Sequence, residues 1–387
     1  MYVIEANVYH RGMDSKTSPG TGQLRIAVFT KPLDNWNSGS GHHLNEILNA
    51  ALDIASEKFH FTFVHYAPSD NPIYGRVREL IVPRNPLLSA RELRKEGFDL
   101  VHYSPLTIFS PIWGVPGKKM ATIHGAEQLL VPQFFGMVEL AHERFLVPAY
   151  ARRMDGILTV SETSADFFVD RFGVERDRIT VCYNGLSPAF RVLEKNEATA
   201  PRRFGLKNPF IFHVSRFSER KNPWVLLESF ARLLRNHDVP HVLLCAGGGW
   251  NSDEVMRRAR SLGIEERFIA PGFLPEREIV ELMNTASAFV FPSLAEGFGM
   301  PNIEAMACGC PVVTTPGFAI REIVGDAAMI VEDPRDPIAL AEALNRVLTD
   351  ETLRATLVER GRNRLHLFSW KRSAEKLLAV YEGLARA

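Results

Sequence analysis

The sequence predicts an α/β protein in which parallel sheets are covered by helices and the chain is divided into two domains. Three observations carry that prediction. Short apolar runs recur at helix-length intervals, at 24–30, 61–66, 100–103, 120–123, 157–160 and 179–182, with helical patterns such as 138–150 between them. Alternation of this kind is the mark of a parallel sheet. The same rhythm resumes at Pro209 after residues 186–208, a stretch that loses hydrophobic periodicity and gains proline and charge and so reads as a linker. A chain of 387 residues that is 46% hydrophobic has the length for two or three domains and the apolar content for sizeable cores.

The totals exclude several classes. Lysine plus arginine and aspartate plus glutamate both come to 45, so the formal net charge is zero, whereas a dominant nucleic-acid role would show a basic excess. Four cysteines, Cys182, Cys245, Cys308 and Cys310, are too few for a disulfide framework. Three of them fall in or beside apolar runs and read as buried thiols of a reducing compartment. Cys308 and Cys310 have no His or Cys neighbours at metal-ligand spacing. No apolar run reaches the roughly 18 residues of a membrane-spanning helix, and the N-terminus lacks the apolar segment of a secretory signal. The expected location is cytoplasmic. Residues 1–23 read as an extension before the first core strand, its 14–23 portion rich in Ser, Thr, Gly and Pro and expected to be mobile.

In chain order, the first buried strand, LRIAVFT, leads into Asn37-Ser38-Gly39-Ser40-Gly41 and then a helix expected from about His42. Its apolar positions Leu44, Ile47, Leu48, Ala51 and Leu52 follow i, i+3, i+4, i+7, i+8 spacing. Strand, glycine loop and helix make a corner that suits a phosphate, though an ordinary turn accounts for it equally. His124 closes the strand ATIH, and ligands of parallel sheets gather at the carboxyl ends of strands. Most lone histidines are structural. Ser161 stands where it would cap the following helix. Residues 129–154 carry Phe134, Phe135, Arg144, Arg152 and Arg153. They suit either packed helices with a solvated edge or a surface facing an anionic bilayer.

The second domain opens on the strand 209–215, followed by Arg216 and, five positions later, Lys221. Asn222-Pro223 is a cap and first-turn pair for a helix with Leu226, Phe230, Leu233 and Leu234 on one face. A cation at a strand end and another before a helix can converge on a diphosphate, Arg as a planar fork and Lys as a movable charge. Two solvated loop cations are the alternative. Ala246-Gly247-Gly248-Gly249 ends the next strand without dinucleotide-site spacing. Another strand and turn cover 268–274.

The stretch AFVFPSLAEGFGMPNIEAMACGCPVVTT, 288–315, is strand, glycine turn, helix and strand again. Pro301 suits a first helical turn and Gly309 its end. Glycines in the turn allow close approach of a ligand to the backbone. The helix start favours a negative group. Glu296 and Glu304, eight positions apart, could each hold two neighbouring hydroxyls. The corner suits a ligand that is both phosphorylated and rich in vicinal diols, as a nucleotide sugar is. A solvated Glu296 and a Glu304 serving only the helix dipole are the plainer reading of each alone.

EGFGMPNIEAMACGCPVV resembles the signature of the retaining GT-B glycosyltransferases of glycosyltransferase family 4, with Glu296 and Glu304 as its paired acids. SRFSERKN and TVSE match as well, and the resemblance covers about 24–387. It implies two Rossmann-like domains facing across a cleft, 24–195 and 196–369, with a C-terminal helix, 370–387, crossing back to the first. That helix carries Ala374, Leu377, Leu378 and Tyr381 on one face. It further implies that Arg216 and Lys221 neutralise the leaving diphosphate, that Glu304 holds ribose hydroxyls and that Glu296 touches the transferred sugar. His124 would contact that sugar, although Gly125 stands where the family usually has Asp. Gly41 and Gly297-Phe298-Gly299 would face the donor, and Phe273 and Leu274 would border the base. The implied reaction moves a hexose of mannose or glucose type from a GDP- or UDP-sugar to a hydroxyl of a glycan or lipid-linked acceptor, as in polysaccharide biosynthesis, with peripheral membrane contact and no nucleic acid. A sugar-nucleotide epimerase and a non-catalytic binding protein are the rival readings. No D-x-D is present, and the two cations with a helix dipole would replace a metal, so neither metal nor cofactor is expected.

Overall fold

The computed structural model describes residues 10–11, 22–35, 38–194, 197–206 and 208–386. The chain forms two units of similar size, one of residues 1–129, 135–185 and 369–387, the other of 130–134 and 186–368. The sequence reading set that first boundary at 195. Each unit contains one sheet.

In the first unit, eight strands are found among the described residues: β1 (His10–Arg11), β2 (Leu24–Phe29), β3 (Phe59–His65), β4 (Arg78–Ile81), β5 (Leu100–Tyr103), β6 (Lys118–Thr122), β7 (Gly156–Thr159) and β8 (Ile179–Val181). Their order is β1-β4-β3-β2-β5-β6-β7-β8. All neighbours are parallel except β1, which runs antiparallel to β4. β1 lies within the stretch read as an extension, and the expectation for 14–21 falls outside the described residues. β4 is absent from the sequence reading because Glu79 interrupts its apolar pattern. That carboxylate is buried all the same, with its Oε1 2.6 Å from His65 Nε2 on the neighbouring strand.

The second unit has six strands among the described residues: β9 (Phe210–Val214), β10 (Val242–Ala246), β11 (Phe268–Gly272), β12 (Ala288–Phe291), β13 (Val312–Thr314) and β14 (Ala328–Ile330). They are all parallel, in the order β11-β10-β9-β12-β13-β14. This is the doubly wound arrangement, and the order reverses between β9 and β12, where such sheets open a crevice for a ligand. Apolar side chains on both faces, among them Ile211, Phe212, Leu243, Leu244, Phe289 and Val290, are fully buried.

Two local expectations need correction and a third needs refinement. The described residues of 186–208 do not form a loose linker. Phe190 and Ala200 enter the core of the second unit, and the segment's backbone is held by side chains of the helix Glu276–Thr285. Glu281 Oε2 accepts from the N–H of Thr199 and of Ala200, both at 2.7 Å, and Asn284 Oδ1 accepts from Leu193 at 2.8 Å. The first helix runs Gly39–Ile54, so Ser40 and Gly41 are helical rather than loop, while Asn37 lies outside the described residues. The segment 138–150 is helical as expected, but not as one regular α-helix. Met137–Ala141 and Val147–Ala151 are α-helical, and a π turn over His142–Leu146 joins them.

The final helix, Trp370–Arg386, packs on the first sheet with Ala374, Leu377 and Tyr381 fully buried. Tyr381 OH lies 2.7 Å from His102 Nδ1. Gly185 is where this helix meets the end of the first unit's main body. A Cβ there would stand 2.3 Å from Trp370 Cγ. All four cysteines are free and buried.

Candidate active site

Two loops of the second unit meet at the β9–β12 reversal. The first follows β9 and carries Arg216, Arg220 and Lys221. The second follows β12 and carries Ser293, Glu296 and the glycine turn. They are knitted by backbone contacts, since Leu294 N–H donates to the Arg220 carbonyl at 2.9 Å. The Glu296 backbone is pinned from the other side by a bridge to Phe318 and by the N–H of Ala319, 3.1 Å from its carbonyl.

Glu296 Oε1 collects three donors: Lys221 Nζ at 2.5 Å, Ser293 Oγ at 2.5 Å and Arg220 Nη1 at 2.8 Å. Burial alone would raise the carboxyl pKa. The charges of Lys221 and Arg220 and their hydrogen bonds outweigh it and hold the group at about 2. Glu296 is therefore an ionised acceptor at any physiological pH. The Lys221 ammonium also stands 4.9 Å above the Phe291 ring. Arg220 and Ser293 were not singled out from the sequence. Arg220 is inside SRFSERKN, and a third cation one residue from Lys221 was the available signal. Nothing in the sequence marks Ser293.

Arg216 is exposed at the end of β9 and has no ion-pair partner among the described residues. Its loop is propped by the glycines after β10. Phe217 N–H donates to the Gly248 carbonyl at 2.9 Å, and Trp250 Nε1 donates to the Ser215 carbonyl at 2.9 Å. Asn222 stands at the N-cap position of the helix Pro223–Asn236, as expected, but its side chain makes no capping hydrogen bond. Its backbone is left-handed, φ 60°, and its side-chain amide donates to the carbonyls of Pro292 and Pro334. It ties the first loop to the second.

In the glycine turn, Gly299 has φ 89° and forms the start of the helix Met300–Ala307, with Pro301 in its first turn. The Phe298 ring is buried edge-on against Phe368, so what this residue presents to a ligand is backbone. Glu304 is at the fifth helical position and forms no ion pair among the described residues. It is half-buried. Desolvation, with help from Glu276, pushes its pKa up to about 8. The structure thus joins Glu296 to Lys221 and, among the described residues, leaves Arg216 and Glu304 without an ion pair. After β11, Phe273 is 78% exposed while Leu274 is buried.

In the first unit, His124 lies two residues beyond β6. Its ring packs edge-to-face on His43 with 4.6 Å between centroids. Burial, reinforced by His102, lowers its pKa to about 4, so it is neutral. His43 Nδ1 is 2.7 Å from Asn184 Oδ1. Gly41 N–H donates to Ser38 Oγ at 3.1 Å, so that N–H already has an acceptor. Ser161 caps its helix as expected, its Oγ 3.1 Å from Ser164 N. Among the described residues, no group of three or more His, Cys, Asp or Glu could hold a metal ion, and no helix is long and apolar enough to cross a membrane.

Two family models match the chain, Glycosyltransferase Family 4 over residues 48–190 and Glycosyl transferases group 1 over 194–364. The chain belongs to glycosyltransferase family 4. This family 4 glycosyltransferase is 26% identical to the O-antigen chain mannosyltransferase B of Escherichia coli, over 93% of its own length and 100% of the relative's. It is 28% identical to the MMP alpha-(1->4)-mannosyltransferase of Mycolicibacterium hassiacum, over 96% and 83% of the two chains. Among solved structures, Anabaena Alr3699/HepE in complex with UDP and glucose superposes with a TM-score of 0.75 at 18% identity, covering 94% of this chain and 100% of that one. The fold is GT-B, two parallel-sheet α/β domains.

Proposed function

We propose that this glycosyltransferase moves a mannose-type hexose from a nucleoside-diphosphate sugar to a hydroxyl of a glycan or lipid-linked acceptor, with retention and without a metal or other cofactor. GDP-mannose is the preferred donor in this reading and UDP-glucose the alternative. The observation that carries it is the ionised Glu296 at the strand-order reversal, held by Lys221 and Arg220 from the loop that also carries the exposed Arg216. The mannosyltransferase relatives support the choice of sugar.

In this reading Arg216 and Lys221 take the diphosphate. An ammonium has three N–H donors, so holding Glu296 does not by itself prevent Lys221 from meeting a phosphate oxygen. Two fixed cations stabilise the charge that develops on the leaving group. A carboxylate with a pKa of about 2 is a weak base and accepts hydrogen bonds from sugar hydroxyls without removing a proton. Glu296 therefore orients the sugar, and the departing phosphate takes the acceptor proton as the hydroxyl attacks the anomeric carbon on the same face. Glu304 holds the ribose diol. Gly297, Phe298 and Gly299 present backbone to the donor, Phe273 and Leu274 border the base, and His124 and Gly41 approach the sugar. A lipid-linked acceptor would bring the protein to the inner face of a membrane. The exposed Met137, Val138 and Phe145 near Arg144 suit that contact, and failure to cosediment with anionic vesicles would remove it.

The test is a donor panel with purified protein, with and without EDTA, the product read by NMR. Transfer from an α-linked donor should give an α-linked product in the presence of EDTA. Arg216→Met should lower kcat by roughly 100- to 1000-fold with an unchanged melting temperature. Conversion of donor alone into an epimer, an inverted product or a trapped glycosyl–Glu296 adduct would each overturn it.

A further inference from the structure

The first unit holds a cavity of about 160 Å³ beside the end of β6. Its wall includes His124, Glu127, Gln128 and Glu143, with Leu106 and Val147 as apolar surface. Two buried polar atoms on that wall, His124 Nε2 and Gln128 Oε1, have no hydrogen-bond partner among the described residues. Each such atom costs roughly 1–3 kcal/mol unless something satisfies it, and the cavity has room for several waters at about 30 Å³ each or for the hydroxyls of a ligand.

Glu143 enters this wall from the π turn His142–Leu146. Single π turns within helices are frequent at functional sites. Glu143 Oε1 is 3.2 Å from His142 Nδ1, and its side chain is only 15% exposed. Among the described residues, the lining contains two carboxyl groups and no lysine or arginine. A phosphate or carboxylate entering here would be desolvated beside like charge. A neutral hydroxyl is both donor and acceptor, so it can give to a Glu or Gln oxygen and accept from His or from the Gln amide. Leu106 and Val147 offer the C–H face of a sugar ring an apolar contact.

We propose that this cavity is a subsite for an uncharged, hydroxyl-bearing pyranose of the acceptor, read by Gln128 and Glu143 and closed to a ring that carries a phosphate. This rests on the glycosyl-transfer reading above. The probes are methyl α-D-mannopyranoside and mannose 6-phosphate, observed by saturation-transfer NMR on the full chain and, in parallel, as acceptors. The wild type should saturate the neutral sugar and not the phosphate ester. Gln128→Leu and Glu143→Gln should each weaken the neutral signal and raise its KM roughly tenfold, the loss of about one hydrogen bond. Their thermal shift with GDP or UDP should stay as in wild type. Equal saturation of the two sugars, no saturation of either by wild type, or variants indistinguishable from wild type would overturn the subsite. Absence of any nucleotide-induced shift in wild type would instead sink the donor reading, so the two failures are distinguishable.

Discussion

Lys221 Nζ stands 2.5 Å from Glu296 Oε1, joining the loop after β9 to the loop after β12 across 75 positions of sequence. Both side chains are largely buried, 14% and 10% exposed. Breaking a buried pair leaves one charge uncompensated and typically costs about 3–5 kcal/mol. Arg220 and Ser293 remain on Glu296 when the lysine is removed. Lys221→Met should therefore lose about 3 kcal/mol, the low end of that range, and the double variant with Glu296→Gln should lose less than the sum of the single losses. Urea denaturation of the four proteins measures this, and additive losses would dissolve the coupling.

The same pair sets an acid limit to stability. The folded pKa of Glu296, about 2, is below its ordinary value of 4.5. The stabilisation is present above 4.5 and fades as pH falls towards 2. On the order of 3 kcal/mol is at stake. Glu296→Gln should show a flatter urea midpoint between pH 5 and 2 than wild type. Parallel curves would count against the assignment.

Glu304 works with the opposite sign. Its folded pKa, about 8, is above the ordinary 4.5, so folding is favoured below 4.5 and is penalised progressively as pH rises towards 8. Glu304→Gln should gain stability relative to wild type on going from pH 5 to pH 9. Accepting two ribose hydroxyls favours the ionised form, so nucleotide affinity of wild type should tighten from pH 6 to pH 9. The variant should bind roughly 10- to 100-fold more weakly, as expected for hydrogen bonds to a charged group, with a flat pH profile. Calorimetric titration with GDP or UDP at three pH values is sufficient, and a flat wild-type profile would remove Glu304 from the ribose.

Strands such as β10 and β12 were legible as uninterrupted apolar runs, because a strand covered on both faces has no polar alternation. β4 was not legible, since its buried Glu79 looks like solvent exposure until His65 on β3 is placed beside it. In the site, Glu296, Glu304, Arg216 and Lys221 could be read from residue type and spacing near strand ends. That Lys221 binds Glu296 directly could not, because the contact depends on the strand-order reversal, which the linear order does not state. Asn222 shows the same limit. An Asn before Pro reads as a local cap, yet its amide is used on carbonyls 70 and 112 positions away.

Gly247 tests whether the prop under Arg216 matters. Its φ is +118°, and a Cβ there would come within 2.0 Å of the Ser215 carbonyl oxygen and 2.6 Å of its carbon. Backbone cannot yield as a flexible side-chain end would, and the φ itself disfavours any L side chain. Gly247→Ala must therefore push the 215–217 loop away from the end of β10, displacing Arg216 without altering it. Misplacement by about 1 Å can cost on the order of 100-fold in rate. The variant is expected to lose kcat by at least about tenfold and about 1–3 kcal/mol of stability from the strained conformation. Gly248→Ala is the control, since a Cβ at that position would have no described atom within 4 Å, and it should retain both. If Gly247→Ala kept full kcat while losing stability, the glycines after β10 would serve packing alone and Arg216 would be held by its own strand.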